Sequence, residues 1–107
     1  MHLKANEKEA LAELGSILKE RFSVVDLWLF GSKARGVASG ESDLDVMIVL
    51  EKSTPEIQST IDDLVFELNL AHDCLISSVV FSKEELEAGP LSESPLYRTV
   101  INEGVRV

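Results

Sequence analysis

Between Glu7 and Arg21 the apolar residues Ala10, Leu11, Leu14, Ile17 and Leu18 recur at three- and four-residue intervals, the spacing of one helix face. Asn6 is placed to cap that helix, with Glu9 three residues on. The pattern then changes period. "SVVDLWLF" (Ser23 to Phe30) is β-branched and aromatic and stops at Gly31, which predicts a strand. A short helix is expected from Ser32 to about Gly36, followed by the small-residue loop "VASGES". "LDVMIVL" (Leu44 to Leu50) is a near-continuous apolar run, as in a strand buried on both faces. Pro55 opens a second long helix with Ile57, Ile61, Leu64, Val65 and Leu68 as its stripe, ending near Ala71. "CLISSVVF" (Cys74 to Phe81) predicts a third strand, and Ser82 with Glu85 a capping box for a short helix ending at Gly89. Ser94 and Pro95 begin a last helix that turns Leu96, Tyr97, Val100 and Ile101 inward and stops at Gly104. The order αβ(α)βαβαα predicts an α/β or α+β fold, a small mixed sheet covered by helices. No repeat or long linker divides the chain, so residues 1–107 are expected to form one domain.

Composition narrows the classes. With 45% hydrophobic residues the chain has enough apolar material for a core. Its 19 acidic and 10 basic residues give a net charge of -9, which repels a nucleic-acid backbone, so no direct nucleic-acid binding is expected. Cys74 is the only cysteine, which excludes an internal disulfide and suits a reducing compartment. No apolar run approaches the roughly 20 residues that span a bilayer. "MHLKANEKEALAEL" has no signal-peptide core, so a cytoplasmic protein without a membrane partner is expected.

Chemistry concentrates in "GSKARGVASGESDLD", residues 31 to 45. Gly31 and Ser32 stand where a strand gives way to a helix. Free backbone N–H groups and the helix dipole there offer a seat for phosphate oxygens, with the serine hydroxyl as a further donor. Gly-Ser turns also occur for purely structural reasons. Asp43 and Asp45 flank Leu44 at the head of a strand, so both carboxylates project to one face. Like charges so close repel unless a cation lies between them, and Mg²⁺ takes carboxylate and phosphate oxygens. The plainer reading is a turn cap and an exposed strand end.

Together, "FGSKARG" and "SDLDVMIV" resemble the signature of the polymerase-β-like nucleotidyltransferase superfamily, and most closely its minimal nucleotidyltransferase (MNT) branch. The resemblance covers essentially the whole chain. It implies the polymerase-β-like nucleotidyltransferase fold, Asp43 and Asp45 as Mg²⁺ ligands, and Gly31 and Ser32 as the grip on the phosphates of ATP. A nucleotidyl group, AMP in the ATP case, would pass to an acceptor hydroxyl with loss of pyrophosphate. Lys33 and Arg35 follow the grip and would neutralise phosphate charge, although an ion pair fixing the loop serves Arg35 equally well. Active members of the family use a third carboxylate on a later strand. Here "CLISSVVF" carries Ser77 and Ser78 at the useful positions, which leaves Asp73 as the candidate third catalytic and metal-binding acid. His72 beside it reads more simply as a polar residue at a helix–strand junction. Cys74 and Trp28 are expected in the core.

Many MNT proteins act as antitoxins of a HEPN-domain ribonuclease, either adenylylating it or masking it. The resemblance therefore implies a protein partner of that kind in a toxin–antitoxin pair. A catalytically inactive binding module of the same fold, neutralising its partner by docking, is the competing expectation.

Overall fold

The computed structural model describes residues 3–31 and 43–107. Helix α1 spans Ala5–Arg21, strand β1 Val24–Phe30, β2 Leu44–Leu50, helix α2 Pro55–His72 and β3 Ile76–Ser82. Helix α3 follows at Lys83–Ala88, then a 3₁₀ helix at Pro90–Glu93, helix α4 at Pro95–Glu103 and strand β4 at Val105–Arg106. The short helix expected from Ser32 lies outside the described residues.

Caps set most of these boundaries. Thr54 accepts from the Ile57 N–H at 3.1 Å and precedes Pro55, whose fixed φ suits a first helical position. Ser82 accepts from the Glu85 N–H at 3.0 Å, and its hydroxyl donates to the Glu85 carboxylate at 2.9 Å. The start of α1 differs from expectation. Lys4 is the N-cap, its N–H donates to Glu7 Oε1 at 2.8 Å, and Asn6 lies within the helix. Asn6 has another task. Its side-chain amide donates to the carbonyls of His72 (2.8 Å) and Asp73 (3.0 Å), tying the start of α1 to the end of α2.

The sheet order is β3-β2-β1-β4. Strand β1 runs antiparallel to both β2 and β4, whereas β2 and β3 are parallel, with α2 as the crossover. Side-chain alternation divides the sheet into two faces. Leu27, Leu29, Leu44, Val46, Ile48, Leu50 and Ile76 meet Ala10, Leu11, Leu14 and Leu18 of α1 and Ile61, Val65 and Leu68 of α2. Leu14, Leu18, Leu29, Ile48 and Ile61 are fully buried there. Each is worth roughly 1.5–3 kcal/mol relative to exposure. On the opposite face Met47 and Val49 pack with Val100, edged by Trp28, Phe30, Val79, Phe81, Leu86 and Tyr97. Strand β2 is thus covered on both sides beyond Asp45, which is why it reads as a near-continuous apolar run.

Candidate active site

Strand directions bring three strand ends to one rim. The last residue of β1, the first residues of β2 and those of β3 lie level because β1 and β2 are antiparallel and β2 and β3 parallel. The register makes a row across them: Phe30 pairs with Asp45, and Asp45 with Ser77. By alternation Asp45 shares its face with Met47 and Val49, and Ser77 shares that face with Val79 and Phe81. Helix α4 covers Met47 and Val49 through Val100, but Asp45 lies beyond that cover and is half-buried. Asp43, one residue ahead of the strand, is exposed.

Asp45 feels the charge of its neighbour. Burial first, and then the Asp43 charge, hold the Asp45 carboxyl above its ordinary value of 3.8. Gly31 follows Phe30 directly and sits against this carboxylate. Its φ is +76°, a conformation natural to glycine. A Cβ built there would overlap Asp45 Oδ2 and stand 3.3 Å from its Cγ. A cleft of about 270 Å³ continues from Gly31, lined by Phe30, Pro95, Leu96, Thr99 and Glu103. Ser32, Lys33 and Arg35, the rest of the expected phosphate grip, lie outside the described residues.

Asp73 is not brought to Asp43 and Asp45. It is the C-cap of α2 in a left-handed conformation (φ 52°), exposed, with its carbonyl held by Asn6 of α1. Its charge acts on Cys74, whose thiol is pushed up by burial and then by Glu7 and Asp73, and which packs with the α1–α2 core. Among the described residues no three His, Cys, Asp or Glu side chains form a group able to hold a metal. Asp73 closes α2 three residues before β3 begins, where its carbonyl is tied to Asn6 of α1. His72 belongs to the same junction. Its Nε2 lies 2.6 Å from Glu13 Oε2, an α1–α2 contact. Trp28 is partly buried against the second core cluster, as expected of a core residue.

Asn69 has a structural role at the site that the sequence did not announce. Its amide donates to the Ile76 carbonyl at 3.2 Å and its carbonyl accepts from the Ile76 N–H at 2.7 Å, fixing the start of β3 and so the level of Ser77. A low-propensity residue in the last helical turn was the one available signal.

The raised Asp45 carboxyl has a stability consequence. A group that binds its proton more readily when folded costs stability when ionised, and this cost vanishes as pH falls below the ordinary value of 3.8. Asp45→Asn should therefore raise Tm by a few degrees at pH 7, with the gain disappearing in acid. Millimolar Mg²⁺ together with ATP should raise Tm of the wild type but not of the variant. A variant less stable than wild type at pH 7 would contradict this account of the pair.

Known proteins share both the sequence and the fold. The nucleotidyltransferase domain family matches residues 11–105. The chain is 34% identical over 101 residues to "Putative protein adenylyltransferase MJ0604" of Methanocaldococcus jannaschii, covering 92% of this chain and 95% of that protein. It is 36% identical over 77 residues to "Putative protein adenylyltransferase MJ0141" of the same organism, covering 71% and 76%. Among solved structures, a toxin–antitoxin with AMP-PNP superposes with a TM-score of 0.64 at 20% identity, covering 92% of this chain and 70% of that one. A mutant of the toxin–antitoxin MntA-HpeT gives a TM-score of 0.63 at 20% identity over 99% and 72%. The fold is thus that of the minimal nucleotidyltransferases, and the chain belongs to the nucleotidyltransferase domain family.

Proposed function

We propose that this protein is a Mg²⁺-dependent nucleotidyltransferase that moves AMP from ATP to a hydroxyl group of a protein partner. The partner would be a HEPN-domain ribonuclease, with this chain as the antitoxin of the pair in the cytoplasm. The observation that carries the reading is Asp45 at the β2 start, packed against Gly31 and within reach of the Asp43 charge, in a chain of the nucleotidyltransferase family. The protein adenylyltransferase names of the archaeal relatives and the toxin–antitoxin assembly of the structural neighbours support it.

The residues present fit a divalent cation. The Asp43 charge lies near enough to raise the pKa of Asp45, so a cation between them would relieve the repulsion. Asp43 and Asp45 would hold Mg²⁺, which when bound neutralises phosphate charge and polarises the phosphoryl oxygens. Gly31 leaves its backbone open to a phosphate, and Ser32, Lys33 and Arg35 would add a hydroxyl and two cations. The adjoining cleft would take the nucleoside. The Glu103 carboxylate there repels phosphate, so it orients the triphosphate toward Gly31. In the transfer the acceptor oxygen bonds to the α-phosphorus, the bond to the β-phosphate bridge breaks, pyrophosphate leaves and the hydroxyl proton passes to solvent water. With Asp73 at the helix junction, Asp43 and Asp45 would be the carboxylates that hold the ion, with Glu103 in the adjoining cleft.

The second reading, an inactive module that neutralises its partner by docking, is favoured by one observation: β3 places Ser77, not an acid, beside Asp45. Incubation with the partner and α-labelled ATP separates the two. The enzyme leaves a covalent AMP adduct on the partner that Asp45→Ala abolishes. Undiminished inhibition by Asp45→Ala, with no adduct from wild type, would establish docking instead.

A further inference from the structure

The Asp45 row ends on Ser77, and the chemistry of that position differs from that of the acids. We infer that Ser77 is the third side chain of the site and that, being neutral, it makes divalent-ion binding conditional on the nucleotide. The inference rests on the reading of Asp43 and Asp45 as metal ligands and adds how the ion enters.

Ser77 pairs directly with Asp45 in the parallel ladder. Same-face side chains on paired neighbouring strands stand about 4.8–5.5 Å apart, within reach of one coordination shell. Ser77 is exposed, so its hydroxyl is open to a ligand. Its level is fixed, because Asn69 binds both backbone groups of Ile76 immediately before it. Among the described residues β3 is the sheet edge, with no further strand beyond Ser77.

A hard divalent cation seeks six or more oxygens and gains affinity with the number of charged ones. The site offers two carboxylates, one exposed and one half-buried, with a hydroxyl beside them. Triphosphate oxygens supply the missing charge. The ion is therefore retained as part of a metal–nucleotide complex, and the nucleotide-free protein is metal-poor. A third carboxylate at residue 77 would convert the site into one that holds metal by itself.

The test uses Mn²⁺ as the probe, followed by its paramagnetic signal on nucleotide-free protein, and calorimetry with Mn²⁺·AMP-PNP. Ser77→Asp is expected to tighten nucleotide-free Mn²⁺ binding at least about tenfold over wild type, as an added ligand charge should. Without metal, Ser77→Asp should also melt lower than wild type, because like charges then face one another across the strand pair, and Mn²⁺ should recover that loss. These gains are not those of a merely structural residue. If Ser77→Asp binds Mn²⁺ no better than wild type, while Asp45→Asn loses Mn²⁺·AMP-PNP, Ser77 is outside the site and the inference fails. If Asp45→Asn keeps full Mn²⁺·AMP-PNP affinity, the reading of the aspartates themselves is what has failed.

Discussion

Gly31→Ala should cost both stability and nucleotide binding. The backbone there has φ +76°, where an L-residue pays about 1–2 kcal/mol. The added methyl would also overlap the Asp45 carboxylate, on a β-strand that is packed on both faces and has little room to shift. A loss of that size corresponds to roughly 5–15 °C in Tm for a domain of this length. Displacement of Asp45 from its row with Phe30 and Ser77 would disperse the proposed metal ligands, so Mg²⁺·ATP binding should fall below detection. Gly15→Ala is the contrasting case. Gly15 lies inside α1, and a Cβ there would meet only Leu27 Cδ2 at 3.8 Å, an ordinary contact. It should stabilise the protein by about 0.5–1 kcal/mol through helix propensity. Paired thermal melts of the two variants, with calorimetric titration of Mg²⁺·ATP, check the contrast. A Gly31→Ala protein that melts with wild type and binds nucleotide normally would remove Gly31 from the site.

The elements with a clear period are legible in the sequence alone. Strand β2 is bounded at Leu44 and Leu50 because both of its faces are buried, and α2 because Thr54, Pro55 and the Ile57–Leu68 stripe mark it independently. The parallel pairing of β2 and β3 also follows, since a long crossover helix lies between them. The rest lacks a local signal. β4 is two residues long, Val105–Arg106, and exists because Gly104 ends α4 beside Leu29 of β1. Asn6 has the chemistry of a cap but is used 66 and 67 residues away in sequence, a tertiary hydrogen bond that no local pattern encodes.

At the site, the spacing of Asp43 and Asp45 and the nearness of a glycine are readable, because alternation along a strand fixes which face a side chain takes. Two things are not. The contact of Gly31 with Asp45 depends on the antiparallel register of β1 and β2, in which Phe30 meets Asp45. The choice between Asp73 and Ser77 depends on where α2 ends. Sequence distance favours Asp73 as the acid just ahead of β3, but Asp73 serves as the cap of α2 and the ladder pairs Asp45 with Ser77.

Loss of both aspartate carboxylates should have a similarly large effect if nucleotide is held through a metal. If Asp43 and Asp45 hold Mg²⁺ against the triphosphate, removing both charges while keeping their shapes should remove the metal-linked part of the affinity. Asp43→Asn/Asp45→Asn should still fold, since Asp43 is exposed and Asp45 half-buried, and the change relieves repulsion between them. The measurement is calorimetric titration of ATP into wild type and double variant, each with Mg²⁺ and with EDTA. Wild type should bind at least about 100-fold more tightly with Mg²⁺ than with EDTA, a difference of about 2.7 kcal/mol. The double variant should bind at the EDTA level under both conditions. Equal Mg²⁺·ATP affinity in the two proteins would contradict the account.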